Sequence, residues 1–237
     1  MPVAESSVRA TLEGRVAVVR LDDGKANGIS HAVLDLLHGH LDRAEKEAGA
    51  VLILGRPGRF SGGFDLATMR SGNLDAVRGL VRAGADFFLR LCEYPRPVVV
   101  GCTGHAVAAG AILLLSADAR LGAAGDFKIG LSEVALGMTL PYFAFELARE
   151  RLSKRHFVRA TSQAELYPPA AAVDAGFLDR VVPAAELEAA ALAEAGRLAE
   201  LPQPAFAETK AAVNRAPVAR IRESLGADVG RLARGPS

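Results

Sequence analysis

The sequence has few cysteines and no excess of positive charge, and each shortage excludes a class of protein. Its two cysteines, Cys92 and Cys102, form no CxxC pair and cannot build a disulfide scaffold. We expect them to be small buried side chains in a reducing compartment. Lysine and arginine number 28 against 27 aspartate and glutamate residues, and no run of basic residues occurs. A nucleic-acid partner is therefore not expected.

The sequence also lacks an apolar stretch long enough to span a membrane. The longest, residues 106–117, is interrupted by Gly110 and Ser116 and runs into Asp118. The N-terminus has an early acidic residue and no apolar core, which is unlike a secretory signal. We therefore expect a soluble, cytoplasmic protein without a membrane partner.

What the sequence does have is an alternation of strand and helix patterns. Half of the 237 residues are hydrophobic, enough for a sizeable core in one domain, with or without a small appendage. Short apolar runs typical of buried strands occur at 16–21, 50–54 and 98–100. Helical repeats lie between them, one behind Ser30 and one over 74–91. This order predicts an α/β fold with a parallel sheet.

A second pattern begins after Pro141. From there the chain is nearly all helical, with one short strand predicted at 178–182. We therefore predict an α/β body over residues 1–140 and a helical C-terminal region over residues 141–237. The last residues, 234–237, are expected to fray.

Two glycines mark the first candidate site. In the segment Arg59-Phe-Ser-Gly62-Gly63-Phe-Asp65-Leu, a buried strand turns sharply into a helix-like stretch. Such a turn can leave backbone N–H groups free to bind an anionic oxygen. The alternative is a tight turn in which Asp65 only caps the helix. The segment is not a Walker loop, because no Gly-Lys-Ser/Thr follows the glycines.

A run of small residues marks the second candidate site. Residues 101–110 follow a buried strand and lead into an apolar helix. The N-terminus of that helix offers free N–H groups and the positive end of a dipole, which suit a developing negative charge. Close packing of a buried helix against the sheet would also require small residues, and both interpretations can hold.

The third candidate site is a single carboxylate, Glu133, between apolar residues. Burial would raise its pKa and make it a usable base. The alternative is that Ser132 and Glu133 open a helical turn on the surface. We therefore keep both interpretations at this point.

Histidines and serines indicate neither a metal site nor a hydrolase. His38 and His40 lie two residues apart on a helix, so they face different directions and cannot share a metal ion. A lone histidine such as His105 is more often structural than catalytic. Ser61 is not in a GxSxG elbow.

The three candidate segments, in this order and at this spacing, resemble the crotonase (enoyl-CoA hydratase/isomerase) superfamily over residues 21–214. The resemblance implies a ββα spiral core with a C-terminal helical region that takes part in trimerisation and in the coenzyme A site. It also implies a homotrimer or a dimer of trimers. The substrate would be an acyl-CoA thioester, with no cofactor besides the coenzyme A of that substrate. Members of the family hold the thioester oxygen between two backbone N–H groups, the oxyanion hole.

By this resemblance, the backbone N–H groups of Phe64 and Ala109 form the oxyanion hole, and Glu133 is the catalytic base. The family often has three glycines where this chain has Ala108-Ala109-Gly110, but alanine retains the N–H group. The residues that the resemblance assigns to coenzyme A or substrate binding are Lys25, Ala26, Asn27, Gly62, Gly63, Asp65, Leu66, Ile112 and Lys210.

Ile112 is a departure from the hydratases of this family, which use two glutamates to activate water. Glu133 fills the second position and Ile112 falls on the first, where isoleucine can neither bind water nor transfer a proton. One carboxylate suits a proton transfer from C2 to C4, the Δ3,Δ2-enoyl-CoA isomerase reaction. Segments 60–69, 129–137 and 167–183 resemble the mitochondrial-type isomerase. The alternatives are a hydratase with one glutamate, another family member that handles a branched or aromatic acyl-CoA, and a non-catalytic acyl-CoA-binding or assembly subunit.

Overall fold

The strands form two sheets in the computed structural model, which describes residues 7–231, with side chains to residue 227. The larger sheet contains, in spatial order, β1 (Val8–Glu13), β2 (Val16–Leu21), β3 (Ala50–Leu54), β5 (Val98–Cys102), β7 (Ala119–Ala123) and β9 (Arg180–Val182). The smaller sheet contains β4 (Gly58–Ser61), β6 (Gly104–Val107) and β8 (Ile129–Gly130). The β1–β2 pair is antiparallel, and the other pairs in both sheets are parallel.

Helices connect and cover these strands. They are α1 (His31–Glu47), α2 (Leu66–Met69), α3 (Leu74–Glu93), α4 (Ala109–Leu115), α5 (Tyr142–Arg151), α6 (Lys154–Ala160), α7 (Pro169–Ala175), α8 (Leu187–Ala199) and α9 (Gln203–Arg231). Short 3₁₀ turns occupy Val134–Leu136 and Ala184–Glu186. Within residues 7–231, no helix combines the length and the apolar character that crossing a membrane requires.

The large sheet is buried on both faces, which explains why its central strands are continuous apolar runs. Successive side chains of a strand point to opposite faces. Val18 and Leu52 therefore pack under α8, whereas Val19 and Ile53 face the larger core beneath α1 and α3. The α/β fold with parallel strands that the sequence predicts is confirmed.

The structure extends or shortens several predicted elements and adds others. The predicted strand at 98–100 continues to Cys102, and the predicted helix at 74–91 continues to Glu93. Only Arg180–Val182 of the predicted strand at 178–182 is extended, and residues 234–237 lie outside the described chain. The sequence did not predict β1, which is largely exposed at the sheet edge, or the smaller sheet. Strands of two to four residues are too short for a periodic pattern.

The C-terminal helical region shares its sheet and its core with the rest of the chain. Strand β9 pairs with β7 at the edge of the large sheet, and α8 lies across its face. Helix α9 packs against α3 and α5, with Val218, Ile221 and Leu225 in the main core. The predicted ranges 1–140 and 141–237 are thus joined by a common sheet.

Candidate active site

The first two candidate segments meet at the ends of β4 and β6. These strands are parallel neighbours, so their carboxyl ends lie at the same edge of the smaller sheet. Gly63 has a φ of +99°, a conformation that favours glycine. A Cβ atom at Gly63 would lie 3.0 Å from the Cβ of Ala108 and 3.4 Å from the nitrogen of Ala109. The two loops are therefore in contact.

Ala108 turns the chain from β6 into α4. Its φ of 51° and ψ of −125° are rare for a residue with a side chain. Its N–H donates to the Gly130 carbonyl at 3.0 Å, and its carbonyl accepts from Ile112 N–H at 3.0 Å. A Cβ at Gly110 would lie 2.8 Å from the Cβ of Ser61, so α4 packs closely on β4. The close packing that small residues indicate is present.

Two backbone N–H groups remain available at this junction. Within residues 7–231, no group accepts a hydrogen bond from the N–H of Phe64 or of Ala109. The backbone around Phe64 is nevertheless held, because Ile29 donates to Gly63 at 2.8 Å and accepts from Asp65 at 2.9 Å. Adjacent N–H donors without a protein acceptor can bind an anionic oxygen.

Asp65 also has the capping role that the sequence offered as the alternative for the first segment. Its carboxylate accepts from the N–H of Thr68 at 2.8 Å and caps α2. Leu66, the first residue of that helix, is 57% exposed. The turn and the pair of free donors therefore exist together.

Glu133 is a buried carboxylate joined to the second loop through β8. It lies three residues after Gly130, whose carbonyl accepts the N–H of Ala108. The residue is 8% exposed, and its Oε2 has no hydrogen-bond partner among the described residues. Burial raises the pKa of Glu133 to about 7, and the backbone N–H groups of Ser132 and Glu133 moderate that rise. Of the two interpretations kept open for Glu133, the structure shows a buried carboxylate, which also stands directly before a 3₁₀ turn.

Ile112 lies one turn into α4 from Ala109 and is 1% exposed. The whole of α4 is buried, so its side chains line the core rather than the surface. No carboxylate stands at this position to pair with Glu133. The residue can supply only an apolar wall.

The segment assigned to coenzyme A lies against the first loop. The carbonyl of Ala26 accepts from Gly62 N–H at 2.7 Å, and the carbonyl of Asn27 accepts from the Ser61 hydroxyl at 2.8 Å. Lys25 is exposed beside it. Asn27, with a φ of 52°, is buried. Its Nδ2 donates to the carbonyls of Leu21, Arg59 and Phe60. The side chain of Asn27 therefore fixes the loop.

Two arginines near Lys25 were not singled out by the sequence. Arg56 donates from Nε to the Lys25 carbonyl at 2.9 Å, and an isolated bridge joins Arg56 to Arg59. Within the described residues, none of these three cations has a carboxylate oxygen within 4.0 Å. The only indication of this group of cations in the sequence was the position of Arg56 and Arg59 around the turn that follows β3.

Lys210 lies apart from the other predicted site residues. It pairs with Asp118, which follows the C-terminal end of α4, whereas the candidate site is at the N-terminal end of that helix. The Lys210 side chain is buried, at 6% exposure for the whole residue. Within one chain, the structure does not bring Lys210 to the residues around Gly63.

Among the described residues, neither a metal cluster nor the cleft beside Glu133 coincides with this site. No group of three His, Cys, Asp or Glu side chains in the described chain could hold a metal ion. His105 has structural contacts, accepting the Lys128 N–H at 3.0 Å and packing against Phe127.

A cleft of about 600 Å³ opens beside the turn after Glu133 but is lined by neither Glu133 nor the two loops. Its lining residues are Val134, Gly137, Met138, Thr139, Leu140, Phe145, Phe157, Val158, Thr161 and Ser162.

Comparison with known proteins places this geometry in a family. The family model described as enoyl-CoA hydratase/isomerase matches residues 11–232. Human mitochondrial enoyl-CoA delta isomerase 1 is 30% identical over 218 residues, which are 90% of this chain and 72% of that protein. A Bacillus subtilis protein described as a probable enoyl-CoA hydratase is 32% identical over 143 residues, 59% of this chain and 54% of that protein.

A solved structure supports the same assignment. An enoyl-CoA hydratase/isomerase family protein from Pseudomonas syringae superposes with a TM-score of 0.93 at 42% identity, covering 95% of this chain and 98% of that one. The crotonase fold expected from the sequence is confirmed. Family model, relatives and fold agree, and the chain belongs to the enoyl-CoA hydratase/isomerase family.

Proposed function

We propose that the protein is a Δ3,Δ2-enoyl-CoA isomerase with Glu133 as its single base. The observation that carries this proposal is a buried Glu133, whose Oε2 has no hydrogen-bond partner among the described residues, together with an apolar Ile112 at the position of the first hydratase glutamate. The isomerase relative at 30% identity supports it. Hydratases among the relatives make hydration the main alternative.

The reaction follows from these groups as a proton transfer. Glu133 Oε2 takes the proton from C2 of a 3-enoyl-CoA, and the C2–H electron pair forms a C1–C2 double bond. The thioester oxygen then carries negative charge, which the N–H groups of Phe64 and Ala109 stabilise. Glu133 then returns the proton to C4: the C3–C4 π electrons form the new C4–H bond, the C1–C2 π electrons form the C2–C3 double bond, and the oxygen re-forms the thioester carbonyl. The product is a 2-trans-enoyl-CoA. Losing one such N–H donor typically slows a reaction by about 10²–10³-fold.

The surroundings of Glu133 suit both halves of this transfer. A base with a pKa of about 7 is largely ionised just above neutral pH and also returns a proton readily. Ile112 would help by keeping water away from the enolate. Hydration by the two-carboxylate route has no second carboxylate at this position.

Coenzyme A would lie along residues 25–27 with its phosphates near the free cations. Lys25, Arg56 and Arg59 have no ion-pair partner among the described residues, so a phosphate could bind them without breaking an ion pair. The carbonyls of Ala26 and Asn27 accept hydrogen bonds from Gly62 and Ser61, so this segment also holds the loop that carries Gly63. Coenzyme A is part of the substrate here, and the proposal includes no separate cofactor or metal.

Two substrates separate isomerase from hydratase. We expect a 3-enoyl-CoA to become a 2-trans-enoyl-CoA without a change in mass, and a 2-trans-enoyl-CoA to gain little water. Rapid addition of water to the 2-enoyl ester would favour the single-glutamate hydratase. No reaction and no exchange of the C2 proton with solvent would favour the binding subunit.

The base is tested by Glu133→Gln, which keeps the shape of the side chain. We expect isomerisation and C2 proton exchange to be abolished while the Kd for coenzyme A changes little. Substantial residual isomerisation in this variant would contradict the assignment of Glu133.

The assembly and location inferred from the family belong to the same proposal. A homotrimer or a dimer of trimers in the cytoplasm is expected, with the helical region from residue 141 taking part in the contacts. Sedimentation of the purified protein measures the oligomer directly, and a monomer would contradict it.

A further inference from the structure

The side chain of Phe64 sits over a glycine in the middle of α3. A Cβ atom built on Gly84 would lie closer than 3.0 Å to both Cε1 and Cζ of the Phe64 ring, a separation that real Cβ atoms essentially never show. The same ring lies 6.4 Å from the ring of Phe88, one turn further along α3. The Phe64 ring therefore occupies a notch whose floor is the backbone of Gly84.

Gly84 has no local reason to be a glycine. It is an interior position of the 20-residue helix α3, where glycine costs about 0.5–1 kcal/mol relative to alanine. No positive φ occurs there. Outside the helix's own nearby backbone, the three atoms nearest to a Cβ at this position all belong to the Phe64 ring. The position of the Phe64 ring therefore explains why residue 84 is a glycine and not an alanine.

The ring gives the Phe64 backbone a third point of attachment. Ile29 holds the chain on either side of Phe64 through the Gly63 carbonyl and the Asp65 N–H. Because the peptide unit is planar, the Gly63 carbonyl and the Phe64 N–H point in opposite directions, so the bond from Ile29 already restricts the N–H. The ring extends from the Phe64 Cα to α3 and restrains the position of that Cα, and hence the tilt of the same peptide plane. The direction of the Phe64 N–H therefore depends on the ring as well as on Ile29.

We infer that Gly84 is a positioning residue, which acts through the Phe64 ring to aim the Phe64 N–H at the thioester oxygen. The inference rests on the proposed oxyanion hole. A methyl group at position 84 pushes the ring out of its notch and turns the N–H away from the thioester oxygen. A misplacement of about 1 Å can cost on the order of 10²-fold in rate.

The test is a double-mutant cycle read by the carbonyl stretch of bound [1-¹³C]hexanoyl-CoA, which is saturated and is not isomerised. Polarisation by the oxyanion hole lowers this infrared frequency. We expect Gly84→Ala to lose much of the downshift and to lower kcat by about 10–100-fold, with KM nearly unchanged. In the Phe64→Ala background, adding Gly84→Ala should have no further effect, because there is no ring to displace.

Gly79→Ala is the matched control in the same helix. A Cβ at Gly79 would meet only His31, at 3.7 Å, an ordinary contact. This variant should leave the carbonyl frequency and kcat unchanged. A Gly84→Ala protein with the wild-type downshift, or an equal effect in both Phe64 backgrounds, would overturn the inference. No downshift in the wild type would overturn the oxyanion-hole assignment, and the role of Gly84 with it. A normal downshift without isomerase activity would contradict only the proposed reaction.

Discussion

The Nζ of Lys210 lies 2.6 Å from the Oδ2 of Asp118, and this buried ion pair joins α9 to the residue that directly precedes β7. The same carboxylate oxygen accepts the N–H of Val98 at 2.8 Å. Lys210 thus links the C-terminal helix to the sheet. This is a structural role within one chain, and the coenzyme A contact that the family resemblance assigns to Lys210, in some members from a neighbouring subunit, stays a prediction.

We predict that Lys210→Met lowers the free energy of unfolding by about 3 kcal/mol, because it leaves Asp118 without its charged partner. Urea unfolding measures the loss. Lys154→Met, at an exposed position, is the control and should change stability by less than about 0.5 kcal/mol. Weaker binding of coenzyme A by Lys210→Met at unchanged stability would instead support the role assigned by resemblance.

The rate of isomerisation should rise with pH as Glu133 ionises. Only the carboxylate form can take the C2 proton, and burial raises the pKa of Glu133 to about 7. We therefore expect kcat/KM to fall roughly tenfold per pH unit well below this value and to level off above it. Initial rates with a 3-enoyl-CoA from acidic to mildly alkaline pH measure the profile. A flat profile through neutral pH would contradict the assignment of Glu133 as the base.

Glu133 should also reduce the stability of the fold as pH rises. Its pKa is 4.5 ordinarily and about 7 in the folded protein, so the folded state binds more protons between these values. Ionising the buried carboxyl lowers the free energy of unfolding. This loss is absent below pH 4.5 and reaches its full size above about pH 7. Between pH 4 and pH 8, the free energy of unfolding of Glu133→Gln should therefore rise by up to about 3 kcal/mol relative to that of the wild type. Denaturant unfolding of both proteins at each pH measures this, and a pH-independent difference would contradict it.

Ile112→Glu should introduce hydration. It places a second carboxylate where the hydratases of the family have one, so water could be held and activated opposite Glu133. We expect the variant, unlike the wild type, to add water to a 2-trans-enoyl-CoA. The mass of the product measures it, and Ile112→Gln, which cannot act as a base, is the control. Equal hydration by wild type and Ile112→Glu would show that Ile112 is not what prevents this reaction.

Ala108→Gly should stabilise the protein, although it removes a methyl group. Ala108 has a φ of 51°, and an alanine in this conformation is strained by its Cβ. Relief of strain, less the extra entropy of the unfolded glycine, should raise the free energy of unfolding by roughly 1 kcal/mol. Ala111→Gly, in the regular part of α4, should instead lower it by about 1 kcal/mol. Unfolding midpoints in urea compare the two, and a loss of stability in Ala108→Gly would contradict the strain.

Elements whose residues carry their own periodic pattern could be predicted from the sequence. The apolar runs of β2, β3 and β5 predict strands buried on both faces, and the spacing behind Ser30 predicts α1 with its cap. Glu133 could be recognised as unusual because a charged residue among apolar neighbours has a desolvation cost wherever they are buried. The family resemblance then assigned a role to Ile112.

Contacts between residues that are distant in the sequence could be identified only from the folded chain. The contact of Gly63 with Ala108 joins segments 45 residues apart. The partner of Lys210 is 92 residues away. The notch at Gly84 exists only because α3 packs beside the loop that carries Phe64. Local periodicity reports whether a residue is buried, but it contains no information about its neighbour across the core. Packing of complete elements determines that neighbour, and the two donors and the carboxylate of the candidate site are assembled in the same way.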